Sequence, residues 1–308
     1  MILEAYRTQV DLLLRILPYV AKEEIFALKG GTAINLFVHD LPRLSVDIDL
    51  TYLPLDSRDE ALKNIHKGLG RIKSSIELAI EGLKVSAVSL NGDTDVKLNC
   101  QFPNAQIKIE VNTITRGHLF PVRLMHVTDR VQNEFGKFAA INVVSHAELY
   151  GSKICAALDR QHPRDMFDIK QFFDSEGLDD DVCQGFILSA LSHNKPIHEL
   201  LNPIIKDQKS AFNAQFAGMT AIEFSYEDYE KERKILIDIM NLLLSKDDKE
   251  LILGFEKGEP DWNKFPHKGI KDFPAIKWKL HNINKLKLAN PIKHSKLIRS
   301  LEAVLVKK

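Results

Sequence analysis

The hydrophobic pattern of this chain changes period along its length. Leu12, Leu13, Ile16 and Leu17 recur at helical spacing and predict an amphipathic helix over residues 4–17, which Pro18 is expected to end or kink. A short apolar run, 25–28, stops at Gly30-Gly31, and Thr32 has the residue type of an N-cap for a short helix through Phe37. After Pro42, residues 45–52 alternate polar and apolar, the signature of a half-buried strand. Residues 57–81 return to helical spacing through Leu62, Ile65, Leu69, Ile72, Ile76 and Leu78. Three strand-like runs follow, 85–90, 96–102 and 107–114, with hairpin signals at Asn91-Gly92-Asp93 and Pro103-Asn104. Val143 falls near the end of another strand. From Ser145 onward strand signals fade, and 147–159, 164–173, 187–191, 197–205, 226–244 and 249–255 read as helices. The expected class is therefore α+β: a domain over residues 1–145 with a small mixed sheet, then a helical domain over 146–308.

Composition narrows the class without naming a function. With 308 residues, 44% hydrophobic and 27% charged, the chain can build a sizeable core without disulfides or structural metal. Cys100, Cys155 and Cys183 are odd in number and far apart, with no Cys-x-x-Cys pair, which argues against a zinc site and points to a reducing, cytoplasmic setting. Apolar runs such as 235–244 are too short to cross a bilayer, and the first residues do not resemble a signal peptide, so no membrane partner is expected. Charge is balanced at 42 basic and 42 acidic residues but unevenly spread. Residues 264–308 hold twelve Lys/Arg against Asp272 and Glu302, a segment of about +10. It is either a surface for a polyanion or the solvated face of helices.

The chemistry sits in the alternating run. In a strand, Asp47 and Asp49 project on one face, with Val46, Ile48 and Leu50 on the other. Two carboxylates held side by side repel each other, and a divalent cation removes the conflict through hard oxygen ligands. Gly30-Gly31-Thr32 upstream lets backbone approach a ligand closely, and N–H groups at a following helix start, with the Thr32 hydroxyl, suit a triphosphate. Glu110 is the one acid of another alternating strand. If that strand neighbours the first, Glu110 completes a metal-binding triad and is placed as general base; otherwise it is a surface residue paired with Lys108. Arg43 either contacts phosphate or pairs with Asp40. Ser45 shares the face of Asp47 and either bonds the site or is an exposed strand residue.

These strings resemble a known family. Leu28-Lys29-Gly30-Gly31-Thr32-Ala33-Ile34-Asn35-Leu36, then Arg43-Leu44-Ser45-Val46-Asp47-Ile48-Asp49-Leu50, are similar to the AbiEii-type nucleotidyltransferase toxins, part of the DNA polymerase β-like superfamily. That superfamily's signature is a Gly-Gly or Gly-Ser turn, a spacer, Asp-x-Asp and a later third acid. Residues 148–160, with Lys153, and Arg164-Asp165-Met166-Phe167-Asp168 resemble the family's Lys-bearing helix and Arg-Asp-x-x-Asp segment, and residues 274–280 also look like family members. Thr32 stands where many members have Ser, and Glu110 where Asp is commoner.

The resemblance implies a polymerase β-like fold whose helical domain completes the active site. It implies a toxin of a bacterial toxin–antitoxin or phage-defence pair, with a cognate antitoxin, binding an NTP with Mg²⁺ or Mn²⁺. Some relatives transfer a nucleotide to the acceptor end of tRNA. In its own chemistry Lys153 lies on an apolar helix, from which an ammonium can reach a triphosphate and stabilise leaving pyrophosphate. Asp165 and Asp168, three apart, share a helix face and either orient Lys153 or bind base or ribose, or serve structural roles such as an Arg160–Asp165 ion pair. Trp278 either stacks on a base or anchors a core. Two other readings stay open: a catalytically weak nucleotide-binding regulatory or interaction protein of the same fold, and a transferase acting on protein or small-molecule hydroxyls.

Overall fold

A computed structural model describes residues 4–90 and 94–306 of this chain. The backbone clusters into two compact units, one of residues 1–145 with Phe216–Glu223 and one of His146–Gln215 with Phe224–Lys308. The expected α+β class is what the chain adopts.

The first unit is built on a seven-stranded mixed sheet. Helix α1 (Glu4–Val20) is followed by β1 (Phe26–Lys29), a short helix α2 (Gly30–Ala33), a π-helical turn Ile34–Val38, and β2 (Asp47–Tyr52). Helix α3 (Arg58–Ala79) precedes β3 (Lys84–Leu90), β4 (Thr94–Phe102) and β5 (Ala105–Asn112). Then come β6 (Arg123–His126), α4 (Asp129–Phe135) and β7 (Ala140–Val143). The strand order is β3-β4-β5-β2-β1-β7-β6, with β2–β5 and β1–β7 parallel and the remaining pairs antiparallel. Alternation decides which face is covered. Ile48, Leu50, Tyr52, Ile107, Ile109 and Val111 are buried on one face, where α1 packs against β5 and β7 and α3 against β4. Phe26 reaches α3 so closely that a Cβ on Gly68 would lie 2.9 Å from its ring. The opposite face carries Asp47, Asp49, Lys108 and Glu110, all half-buried or exposed.

Several expectations shift. Pro18 lies inside the last turn of α1, which runs on to Val20. The lost N–H removes one hydrogen bond near the helix end, and the buried Leu17 and Val20 hold the turn in place. Thr32 is not an N-cap: the helix starts two residues earlier, Lys29 occupies that position, and the Thr32 side chain points into the structure. The strand expected from Ser45 begins at Asp47. The hairpin signal at Asn91-Gly92-Asp93 lies outside the described residues, whereas Pro103-Asn104 turns β4 into β5 as expected, with Phe102 opposite Ala105.

The second unit is helical: α5 (His146–Arg160), α6 (Pro163–Ser175), α7 (Asp180–Ser192), α8 (Ile197–Leu201), α9 (Lys209–Gln215), α10 (Tyr226–Leu243), α11 (Lys246–Glu256), two 3₁₀ turns (Trp262–Lys264 and Lys268–Asp272), α12 (Pro274–Ala289) and α13 (Pro291–Leu305). The helix expected over 197–205 stops at Leu201, because Pro203 has no amide to donate and its ring pushes Asn202 out of the helical region, to φ −138° and ψ 68°. Helices α10 and α11 each start with a capping box, Ser225 with Asp228 and Ser245 with Asp248.

Helices α5 and α7 cross backbone to backbone. A Cβ on Gly151 would lie 2.1 Å from the Gly185 carbonyl carbon, and one on Gly185 1.9 Å from the Ala147 carbonyl oxygen. Neither obstacle is a side chain that can rotate away, so the helices must separate to admit a methyl group. Gly185→Ala is therefore expected to destabilise the chain by about 3 kcal/mol or more, the upper range for overpacking, measured by urea unfolding. A loss within about 0.5 kcal/mol, the scale of an ordinary surface substitution, would show that the crossing is not close-packed.

Candidate active site

The first unit gathers the Gly-Gly turn and the aspartate pair. Antiparallel pairing places Lys29 of β1 opposite Asp49 of β2, so the chain leaving β1 turns beside Asp49. Gly30 makes that turn at φ +74°, the left-handed region that only glycine enters cheaply. A Cβ at Gly30 would lie 2.6 Å from the Asp49 Oδ2 atom. At Gly31 it would lie 2.7 Å from the Arg43 guanidinium and 3.0 Å from Ser45 Oγ. The two glycines thus let backbone lie directly against a carboxylate on one side and a cation on the other.

Thr32 closes this corner from within. It is fully buried, its hydroxyl within reach of the Asp47 carbonyl oxygen and 3.1 Å from Ser45 Oγ. A carbonyl only accepts, so the Thr32 proton goes to Asp47 and Ser45 donates to Thr32. Thr32 therefore fastens the start of the aspartate strand, and Ser45, also buried, is part of the fastening. Asn35 Nδ2 donates to the Gly31 carbonyl at 2.9 Å. Arg43 is 3% exposed, and its guanidinium donates to the Leu44 carbonyl at 2.9 Å beside Gly31.

Glu110 comes next to this pair. Strand β5 runs parallel to β2, with Glu110 in register with Asp49 and Lys108 with Asp47, all on the open face. The partner of Glu110 is Lys97 on β4, at 3.2 Å, rather than Lys108. The reason is geometric. Lys108 is two residues along the same strand, whereas Lys97 is directly cross-strand. The sequence reading missed Lys97, although counting back from the Phe102–Ala105 pair that closes the two-residue turn places it opposite Glu110. Among the described residues no three His, Cys, Asp or Glu side chains are already drawn into a cage for a metal ion. The donor set nonetheless suits a hard divalent cation: Asp47 and Asp49 offer carboxylate oxygens on one face of a rigid strand, and glycine backbone leaves room beside Asp49.

The second unit gathers the other constellation. Lys153 on α5 is 7% exposed, its Nζ 3.0 Å from Asp165 Oδ1 and 2.9 Å from Asp168 Oδ2. Asp165 and Asp168 lie one turn apart on α6 and are both buried. Arg160 reaches in from the surface to Asp165 Oδ2 at 2.8 Å. Two cations and two carboxylates leave the cluster neutral, which makes its burial tolerable. Helix α6 starts where Asp165 needs it: His162 accepts from the Arg164 amide, and Pro163 takes the first helical position. Arg164 itself is half-buried.

Burial alone would raise the Asp165 carboxyl, but Lys153 and Arg160 outweigh it and hold the group below its ordinary value of 3.8. A depressed folded value means that the stabilisation is complete above the unfolded value and lost as pH falls through the folded one. The difference in unfolding free energy between the unaltered chain and Asp165→Asn is therefore expected to shrink as pH is lowered from neutrality to below 3.8. A difference that stays constant over that range would contradict the charged cluster.

Comparison with known proteins gives the family and the fold. The profile of the family described as "Nucleotidyl transferase AbiEii toxin, Type IV TA system" matches residues 11–282. Among solved structures, MenT4, a nucleotidyltransferase toxin from Mycobacterium tuberculosis H37Rv, superposes with a TM-score of 0.59 at 14% identity, covering 91% of this chain and 93% of that one. A putative nucleotidyltransferase from H. pylori gives a TM-score of 0.47 at 18% identity, covering 77% of this chain and 95% of that one. No curated protein matches by sequence.

Proposed function

The chain belongs to the AbiEii family of nucleotidyl transferase toxins, and from that premise we propose that it transfers a nucleotide from an NTP to an RNA hydroxyl, the acceptor end of tRNA being the first candidate. As a nucleotidyltransferase toxin of a toxin–antitoxin system, it works opposite an antitoxin. The observation that carries the proposal is the packing of the Gly30-Gly31 turn directly onto Asp49, Arg43 and Ser45.

In the reaction, the acceptor hydroxyl oxygen attacks the α-phosphorus of the NTP. A new P–O bond forms, the α–β phosphoanhydride bond breaks, and pyrophosphate leaves with that electron pair. Asp47 and Asp49, with Glu110 beside them, would hold Mg²⁺ or Mn²⁺, which supplies neutralisation of phosphate charge and a stronger acceptor nucleophile when bound. Glu110 accepts the proton of the acceptor hydroxyl, and its ion pair with Lys97 orients the carboxylate for that task. Gly30 and Gly31 present backbone to the triphosphate, and Arg43 offers it a cation at the same corner. In the second unit, Lys153, held by Asp165 and Asp168, is the candidate cation for phosphate charge.

Incubation with labelled NTPs, Mg²⁺ and total tRNA tests the reading. The unaltered chain is expected to label RNA and Asp49→Ala to fall to background. Absence of transfer from any NTP to any RNA would refute the proposed acceptor.

The basic C-terminal segment supports RNA as that acceptor. Lys264 and Lys277 are neutralised by local acids, Lys287 bonds Glu259 and the Lys257 carbonyl, and the half-buried Lys279 donates to the carbonyls of Ala190 and Lys195. Burial pushes the Lys279 ammonium down to about 8. Lys285, Lys293, Lys296 and Arg299 are exposed and form no ion pair among the described residues. Trp278 is no core anchor: it is 64% exposed, stacked on His281 at 5.8 Å, and one helical face from Lys285. Stacked rings amid unpaired cations suit bases and phosphates. Replacing Lys285, Lys293, Lys296 and Arg299 by Gln is expected to weaken RNA binding and to flatten its salt dependence. The slope should fall by roughly 0.7 log unit for each phosphate no longer neutralised. Unchanged affinity and slope would place the RNA elsewhere.

A further inference from the structure

Residues 216–223 belong to the first compact unit, although α9 and α10, which flank them in sequence, belong to the second. The segment lies against the loop that leads into Asp47. The Leu44 amide donates to the Met219 carbonyl at 2.7 Å, and the Thr220 hydroxyl donates to the Pro42 carbonyl at 2.7 Å. Arg43 and Thr220 pair as an isolated antiparallel bridge. The Thr220 oxygen also accepts from the Ile222 amide at 2.9 Å, so the hydroxyl is fixed as donor and acceptor at once.

The strap is itself firmly seated. Gly218 turns it at φ +83°, the Met219 amide returns to the Phe216 carbonyl at 3.0 Å, and the Phe216 and Met219 side chains are 2% and 1% exposed. The loop that it holds is strained: Leu41 sits at φ +56°, a region that non-glycine residues enter at a cost and keep only when their surroundings enforce it. Within that loop Arg43 packs on Gly31, and Ser45 meets both Gly31 and Thr32. Hydrogen bonds at Pro42 and Leu44 bracket Arg43 on both sides.

We propose that the strap, through Thr220 and the Met219 carbonyl, is a positioning device for nucleotide binding: it sets Arg43 and Ser45 against Gly31 and Thr32. The proposal rests on the reading of that corner as the triphosphate site. The Thr220 hydroxyl bonds the Pro42 carbonyl and the Ile222 amide, so it acts through the loop as a positioning residue, and its effect falls on binding rather than on the chemical step.

The test compares Thr220→Val, which keeps shape and loses the hydroxyl, with Thr220→Ser, which keeps the hydroxyl. Thr220→Val is expected to weaken equilibrium binding of a fluorescent NTP, and to raise KM, about fivefold, the weight of one ordinary hydrogen bond. It should leave kcat nearly unchanged, as expected for lost uniform binding, and speed hydrogen exchange at the Leu44 amide. Thr220→Ser is expected to restore all of these. Thr220→Val that binds NTP like the unaltered chain overturns the proposal, as does equal impairment in both variants, which would assign the effect to packing. The two readings fail separately. An unaltered chain that binds no NTP removes the triphosphate site and the proposal with it. Normal Leu44 exchange and NTP binding in Thr220→Val removes the strap alone.

Discussion

The first unit is organised around one close approach, the backbone of Gly30 against the carboxylate of Asp49. A methyl group at that position would force the Asp49 carboxylate to move, and any L-residue there would also pay roughly 1–2 kcal/mol for a left-handed backbone. The approach exists because β1 and β2 pair antiparallel with Lys29 opposite Asp49, so the chain must turn beside the carboxylate. The same register fixes the next row. Parallel pairing of β2 with β5 brings Glu110 level with Asp49, and antiparallel pairing of β5 with β4 brings Lys97 level with Glu110. The carboxylates, glycine backbone and Lys97 are all set by strand register, and a slip by one residue would send Asp47 and Asp49 into the core.

The second unit solves a different problem. Lys153, Asp165 and Asp168 are buried ions, and their cost is met by mutual compensation with Arg160 completing neutrality. Removing one member of such a cluster leaves an unpaired buried charge, a loss of about 3–5 kcal/mol. These residues are thus bound to the integrity of their helices as well as to the proposed chemistry. The glycine crossing packs the helix that carries Lys153 backbone to backbone against α7.

Much of this is legible in the residue pattern itself. Alternation in residues 45–52 and 107–114 identifies the two strands and the faces of Asp47, Asp49 and Glu110, because period two is imposed by the backbone. The helix carrying Lys153 and the pair Asp165 and Asp168 follow from helical spacing. Thr32 misleads because its residue type suits a cap, while the structure uses the hydroxyl to fasten β2. The ends of helices are less legible: Pro18 is carried inside α1 by the burial of Leu17 and Val20, whereas Pro203 is the local stop that ends α8 after Leu201. Strand β6, exposed at three of its four residues, shows no alternation, and α9 buries no residue. The strap at 216–223 is invisible in the sequence because its partners lie about 175 residues away, a pairing no local pattern encodes.

Substituting Gly30→Ala tests the central claim most directly, with urea unfolding and Mg²⁺-dependent NTP binding measured on the same protein. The close approach to Asp49 predicts a chain that remains folded with modest loss of stability and no longer binds NTP. A Gly30→Ala chain that binds NTP with unaltered affinity would contradict the account, because the backbone at Gly30 would then have no part in forming the site.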